Sequence, residues 1–148
     1  MIRAELKTRI NKPAEVVFDY VADFDTLPSY DRYVQSARRT SDGPIGVGST
    51  WTHDRTQGPQ KITAPIKLVE YERPRRFVME SGSGGFAVRS TMTFAPADGA
   101  TDVTEVLEMN LRGFVRIMQP LIARQVPKQS MEVHERMKQV IEQLPEPA

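Results

Sequence analysis

The order of hydrophobic and polar positions predicts strands over most of the chain and a long helix near its end. Residues 2–10 alternate between apolar or small side chains and charged ones, which indicates a strand with one solvated face. Residues 13–21 carry apolar side chains at helical spacing, and Pro13 suits the first turn of a helix. Asp23 and Asp25 are suitable caps for a second short helix, so we expect two short helices after the first strand.

From about residue 34 the apolar period becomes two, and turn residues divide this region into about six antiparallel strands. Asp98-Gly99 is the sharpest hairpin signal, residues 81–85 form a glycine-rich hairpin tip, and residues 57–59 form a turn. Pro65 lies inside an alternating run, where it favours a strand edge or a bulge because it has no N–H to donate.

The last third of the chain changes to a helical period. Apolar residues after Gly113 recur at spacings of three, four or seven, which indicates a long amphipathic helix that residues 145–148 end. Pro120 and Pro127 lie inside that pattern. Since an interior proline costs about 3 kcal/mol, we expect either a kinked helix or a separate first segment.

These elements predict an α+β fold in one domain over residues 1–148. Consecutive hairpins produce an antiparallel sheet with one apolar face, and the terminal helix is the only predicted element long enough to cover that face. We therefore expect a curved sheet of about six to seven strands wrapped around the long C-terminal helix. A strongly curved sheet leaves space beside such a helix, so we expect a pocket there.

Composition narrows the chemistry that this pocket can perform. The 148 residues include no cysteine and two histidines, which excludes a disulfide scaffold and a cysteine nucleophile and argues against a metal site. A net charge of +1 argues against the broad basic surface that nucleic-acid binding needs. The sequence shows neither a signal peptide nor a long apolar span, so we expect a cytoplasmic protein without membrane segment, metal or cofactor.

Four motifs resemble those of one family. Residues 10–21, INKPAEVVFDYV, are close to its strand and xPxxxVFxxV helix, and residues 23–30 match its D…LPxY second helix. Residues 46–51, GVGSTW, match its GxGSxW strand start, and residues 70–77, EYERPRRF, match its xExPRRF turn. The four motifs occur in this order and cover essentially the whole chain. The sequence therefore resembles the polyketide cyclase/dehydrase-type members of the START-like superfamily, also called SRPBCC, helix-grip or Bet v 1-like.

The resemblance implies a helix-grip fold with an interior cavity, but it covers several functions. Members of the superfamily include aromatase/cyclases, lipid carriers, hormone receptors and quinone-binding proteins. We therefore expect the partner to be a small hydrophobic molecule that is lipid-like, isoprenoid-like or polyketide-like. The oligomeric state, monomer or homodimer, is open.

Candidate site residues come from the strand faces that alternation turns inward. Trp51 and His53 share one strand face. They form either the floor of a pocket with one titratable group, or a core tryptophan beside a partly exposed histidine. Methionines fit irregular ligands, and they equally form an ordinary core. The expected lining residues are Trp51, His53, Met79, Phe86, Met92, Glu105, Met109, Met118 and Ile122.

Glu105 is the candidate carboxylate. It alternates with Val103 and Leu107, and if that face is inward, burial raises its pKa and makes it a candidate acid, base or ligand anchor. In the alternative arrangement Glu105 faces water, and Glu108 or Thr104 faces inward.

The other polar residues have simpler interpretations. Arg55 and Arg89 lie in predicted strands, where a solvated face explains them better than contact with an acidic ligand. His134 is expected at the edge of the apolar face of the C-terminal helix. This leaves His53 as the only histidine on a predicted strand.

Three functions remain open on this basis. The first is binding of a small hydrophobic molecule in the cavity. The second is a cyclase or dehydratase, which needs His53 and Glu105 to reach one cavity for proton transfer. The third is an interaction module with a vestigial cavity, which predicts a contiguous exposed apolar patch. The small number of titratable groups favours binding over catalysis.

Overall fold

The computed structural model describes residues 1–57 and 59–145, with the side chain of Gln57 left out. Gly58 of the predicted turn and residues 146–148 of the predicted tail therefore lie outside the described residues. The strands are β1 (Ile2–Ile10), β2 (Val34–Arg39), β3 (Thr50–Gln57), β4 (Gln60–Glu72), β5 (Arg76–Ser83), β6 (Phe86–Ala97) and β7 (Ala100–Leu111). The helices are α1 (Ala14–Ala22), a first 3₁₀ helix (Phe24–Ser29), a second 3₁₀ helix (Gly113–Met118) and α2 (Gln119–Glu142).

The seven strands form one antiparallel sheet in the order β1-β7-β6-β5-β4-β3-β2. Strands β2 to β7 are joined by consecutive hairpins, and β1 pairs with the last strand, with Ile2 opposite Met109 and Ile10 opposite Thr101. The sheet curves around the C-terminal helix. The predicted α+β helix-grip architecture is thus confirmed, and the sheet has seven of the expected six to seven strands.

Local chemistry explains the tightest turn and the proline within a strand. Asp98 and Gly99 have φ values of 51° and 82°, the left-handed conformation that a two-residue hairpin needs. Pro65 pairs with Thr52 of β3 and lies one residue beyond Ile66, where the ladder with β5 ends. Pro65 therefore occupies a local edge, as predicted, although β4 itself has neighbours on both sides.

The two prolines of the last third have different places. Pro120 lies in the first turn of α2, where a missing N–H costs nothing. Pro127 lies inside α2, which continues through it. The separate first segment that the prolines predicted is the second 3₁₀ helix, and Met118 forms the junction with φ of −84° and ψ of 2°.

The helix α2 reaches two different apolar clusters. Its first half packs Ile122 and Val126 against residues at one end of β1 and β7. Its second half packs Met137 and Ile141 into the larger cluster formed with α1 and the strands. The middle of α2 lies between these two anchor points, and this spacing leaves room beneath it.

Candidate functional site

An interior cavity of about 200 Å³ lies between the sheet and the middle of α2. Strands β3 to β7, the first 3₁₀ helix and α2 all contribute side chains to its wall. Most of these side chains are apolar, but two clusters of polar residues interrupt them. Six of the residues expected at the site border this cavity: His53, Met79, Phe86, Met92, Glu105 and Met109.

Trp51 does not border the cavity, so its assignment to the lining was wrong. Its side chain is fully buried, and its ring meets that of Phe24 edge-on with 5.0 Å between centroids. The first 3₁₀ helix supplies Phe24 and thereby fills the space above Trp51. His53, two residues along the same strand face, does border the cavity.

Met118 and Ile122 also lie outside the lining, for two different reasons. Met118 is 46% exposed because it is the junction residue at which the helical period breaks. Ile122 is buried, but it packs with Ile2 and Leu111 at the end of the sheet rather than over the cavity.

The first polar cluster, here called the Glu105 cluster, consists of Thr8, Ser90, Glu105 and His134. The Ser90 hydroxyl donates to Oε2 of Glu105 at 2.6 Å, and Nε2 of His134 lies 2.8 Å from Oε1. An ionised carboxylate only accepts hydrogen bonds, so Nε2 carries the hydrogen. The other ring nitrogen, Nδ1, lies 2.8 Å from the Thr8 hydroxyl oxygen, so it donates to Thr8 when the ring is charged and accepts from Thr8 when the ring is neutral.

The carboxylate of Glu105 is therefore held in place by two donors. Its side chain is 17% exposed and that of His134 is 5% exposed, and both residues border the cavity. Burial by itself would raise the pKa of Glu105, but the hydrogen bond and charge of His134 and the hydrogen bond from Ser90 outweigh it. The pKa of Glu105 is lowered as a result, and the group is ionised near neutral pH. Glu105 faces inward, which resolves the choice that the sequence left open.

The second polar cluster, here called the Arg55 cluster, consists of Asp31, His53 and Arg55, all of which border the cavity. Nη2 of Arg55 lies 3.8 Å from Oδ2 of Asp31, an ion pair too long for a hydrogen bond. Nε of Arg55 and Nδ1 of His53 are buried and have no hydrogen-bond partner among the described residues. Both residues border the cavity, and these two atoms are themselves covered by neighbouring groups.

Burial sets the charge states in the Arg55 cluster. Burial and the neighbouring charge of Arg55 lower the pKa of His53 to about 4, so its ring is neutral at pH 7. Burial also raises the pKa of Asp31, and Arg55 offsets part of that rise. His53 is consequently a poor general acid at neutral pH, although it shares the cavity with Glu105 as the enzyme hypothesis requires.

Sequence reasoning missed the partner of Glu105. His134 was expected at the edge of the helix, but it is buried and faces the sheet. A signal was present, because His134, Met137 and Ile141 have the i, i+3, i+7 spacing of a single helix face. Asp31 carried no comparable signal, since its position depends on how the first 3₁₀ helix packs against β3.

Within residues 1–57 and 59–145, no cluster of three or more His, Asp or Glu side chains could hold a metal ion. No helix in the same part of the chain is long and apolar enough to cross a membrane.

The fold and the cavity define the class of protein: a helix-grip protein that encloses a cavity between a curved antiparallel sheet and a C-terminal helix. The family model described as polyketide cyclase / dehydrase and lipid transport matches residues 1–142. The chain belongs to this family. No curated protein sequence matches the chain significantly.

Solved structures support the same fold at low sequence identity. The protein TTHA0849 from Thermus thermophilus is 17% identical, with a TM-score of 0.79 over 94% of this chain and 96% of that one. The Zhui aromatase/cyclase from Streptomyces sp. R1128 is 12% identical, with a TM-score of 0.77 over 95% of this chain and 93% of that one. The di-domain ARO/CYC BexL from the BE-7585A biosynthetic pathway is 17% identical, with a TM-score of 0.75 over 97% of this chain and 51% of that one.

Proposed function

We propose that this chain, as a single cytoplasmic domain, binds a small hydrophobic molecule in the cavity between the sheet and α2. The observation that supports this most strongly is the unfilled space itself. Side chains anchor both ends of α2, but its middle leaves about 200 Å³ open beside apolar walls. Apolar burial at about 25 cal/mol per Å² supplies the main driving force for a ligand there.

The cavity volume limits the size of the ligand. Engineered apolar cavities of about 150 Å³ accommodate benzene. A cavity of about 200 Å³ suits a compact molecule of one or two rings. A longer isoprenoid or acyl chain would exceed this volume, so a compact ring system or the end of such a chain fits best.

The Arg55 cluster specifies a polar feature of the ligand. Nε–H of Arg55 is buried without a partner among the described residues, and such a donor costs free energy until an acceptor reaches it. A carbonyl, phenol or carboxylate oxygen on the ligand would satisfy it. The ionised Glu105 repels a second anion, so a neutral oxygen acceptor suits the cavity better than a carboxylate.

The test is a titration with the fluorescent probe 2-naphthol, which has two rings and one oxygen. Ala64 is buried and borders the cavity, so Ala64→Leu places a larger side chain in the space. We expect this variant to weaken binding at least about tenfold. The matched control is Ala95→Leu at an exposed position of β6, which should leave the affinity unchanged. Equal affinity in all three proteins contradicts binding in the cavity.

A second candidate function is a cyclase or dehydratase that uses the Glu105 cluster for proton transfer. The observation that favours it is the pairing of Glu105 and His134 on the cavity wall at 2.8 Å, since such a pair can exchange a proton. Native mass spectrometry of the protein purified from its own host separates the two functions. A carrier holds the same compound in the wild type and in Glu105→Gln. If the protein is a dehydratase, the variant accumulates the substrate, whose mass exceeds that of the wild-type product by one water.

A further inference from the structure

An exposed apolar face lies outside the cavity and is not used by the proposed function. Four large residues of the second 3₁₀ helix and the start of α2 are exposed: Phe114 by 86%, Ile117 by 72%, Met118 by 46% and Leu121 by 48%. Phe114 and Ile117 are one turn apart in the second 3₁₀ helix, and Met118 and Leu121 follow one turn apart at the start of α2. We call this set the 114–121 face.

The segment that carries this face is firmly attached to the rest of the molecule. Val115 packs with the apolar cluster at the end of the sheet, and Ile122 is part of that cluster. The amide of Arg112 donates to the carbonyl of Gly85 at 2.9 Å. A Cβ at Gly85 would lie 2.7 Å from Cγ2 of Val115, so the segment and the hairpin are in close contact. The inner side of the segment is therefore already occupied, and the 114–121 face points away from the core.

The charges within the stretch of chain that carries this face all have one sign. Four exposed basic residues flank or continue it, and the sequence from Met109 to Met131 contains no Asp or Glu. Leu121, Arg124 and Lys128 share one side of α2 at i, i+3 and i+7. The basic residues are Arg112, Arg116, Arg124 and Lys128.

We propose that the 114–121 face docks on the surface of an anionic lipid membrane. Exposed apolar residues beside a row of cations are what an interfacial helix uses, with the apolar side chains in the acyl boundary and the cations at the headgroups. A second copy of this chain fits less well, because a two-fold contact would bring identical cations together without an intervening carboxylate. The cytoplasmic leaflet supplies the complementary negative charge.

Docking at this place has a consequence for the cavity. Val126 of α2 and Phe86 of β6 border the cavity and also pack with the cluster beneath the 114–121 face. That end of the cavity therefore lies next to the proposed membrane contact. A hydrophobic ligand would be exchanged with the lipid phase over a short distance, without crossing open water.

The experiment is flotation of the full chain with vesicles of phosphatidylcholine alone and with vesicles that contain about one third phosphatidylglycerol. We expect binding to the anionic vesicles only, weakened by raising the salt concentration. Phe114→Ser combined with Ile117→Ser should lower the bound fraction at least about tenfold, and Arg116→Glu about 20-fold. The matched controls, Val47→Ser and Arg38→Glu, change exposed residues elsewhere and should bind as the wild type does.

Other outcomes overturn the proposal. Equal binding to neutral vesicles would show that the basic residues do not contribute to binding. No binding to either kind of vesicle would exclude the membrane contact. A dimer that Phe114→Ser and Ile117→Ser convert to a monomer would assign the face to a second copy instead. Because Trp51 is the single tryptophan and fully buried, its emission spectrum shows whether each variant is folded. Vesicle flotation is independent of any ligand in the cavity.

Discussion

Nε2 of His134 on α2 lies 2.8 Å from Oε1 of Glu105 on β7, inside the wall of the cavity. The other ring nitrogen of His134 lies 2.8 Å from the hydroxyl oxygen of Thr8 on β1. One histidine thus connects the middle of the helix to two neighbouring strands. This contact positions a carboxylate on the wall of the cavity and lowers its pKa, so the group is ionised near neutral pH.

Removal of the Glu105 carboxylate should be costly. Glu105→Ala leaves the Ser90 hydroxyl and the His134 ring without their partner, and breaking a buried pair in this way costs about 3 kcal/mol. Glu105→Gln keeps an acceptor oxygen, so it should cost roughly half as much. Urea unfolding at pH 7 measures both free energies. Glu108→Gln on the same strand is the control and should change the stability by less than about 0.5 kcal/mol.

The neutral state of His53 should make the stability depend on pH. Its pKa falls from 6.5 to about 4 on folding, so between these values the unfolded chain binds more protons. The contribution of the neutral His53 ring to the free energy of unfolding is complete above pH 6.5 and is lost as the pH falls through about 4. The loss is at most about 3 kcal/mol. Urea unfolding from pH 7 to 4 should show this loss.

His53→Gln isolates this contribution from that of the carboxyl groups. Glutamine does not titrate, so the difference in stability between wild type and variant should shrink as the pH falls from 6.5 towards 4. The burial-raised pKa of Asp31 acts in the opposite direction, but it is common to both proteins. A difference that is constant with pH would show that His53 is not held neutral by burial.

Ile122 and Met118 should differ strongly when each is shortened to alanine. Ile122 packs with Ile2 and Leu111, so Ile122→Ala should cost about 2–4 kcal/mol through lost contacts and a cavity. Met118→Ala should cost less than about 0.5 kcal/mol because the side chain is 46% exposed. Chemical denaturation of both variants makes the comparison. Similar costs would contradict the structure at the Met118 junction, in which Ile122 faces the core and Met118 faces solvent.

The close contact at Gly85 should be sensitive to a single methyl group. Gly85→Ala places a Cβ 2.7 Å from the carbonyl oxygen of Arg112, and a backbone atom cannot move aside cheaply. We expect a loss of about 1–3 kcal/mol in thermal or urea unfolding. A Cβ at Gly46 meets no atom within 4 Å, so Gly46→Ala should leave the stability unchanged or slightly raised. A neutral Gly85→Ala would mean that the second 3₁₀ helix is less tightly packed against the hairpin.

The elements with strong local signals could be predicted from the sequence. The alternation of residues 2–10 and the Asp98-Gly99 turn reflect side-chain period and backbone conformation, which neighbouring residues determine. The face of β7 that carries Glu105 was identified as a candidate for the same reason. The errors at Trp51 and Met118 arose where a neighbouring element or a break in the helix controls the surroundings.

The sequence by itself determined the order of the elements, the helix-grip architecture and the inward-facing sets of β3 and β6, because these depend on short-range periodicity. It left the inward face of β7 open, and the structure decided it by placing Glu105 on the cavity wall. Only the tertiary structure decided that His134 pairs with Glu105, that Phe24 covers Trp51, and that Phe114 remains exposed. Those outcomes depend on which residues meet after the sheet closes around α2. Contacts between residues far apart in the chain leave no periodic trace in either segment.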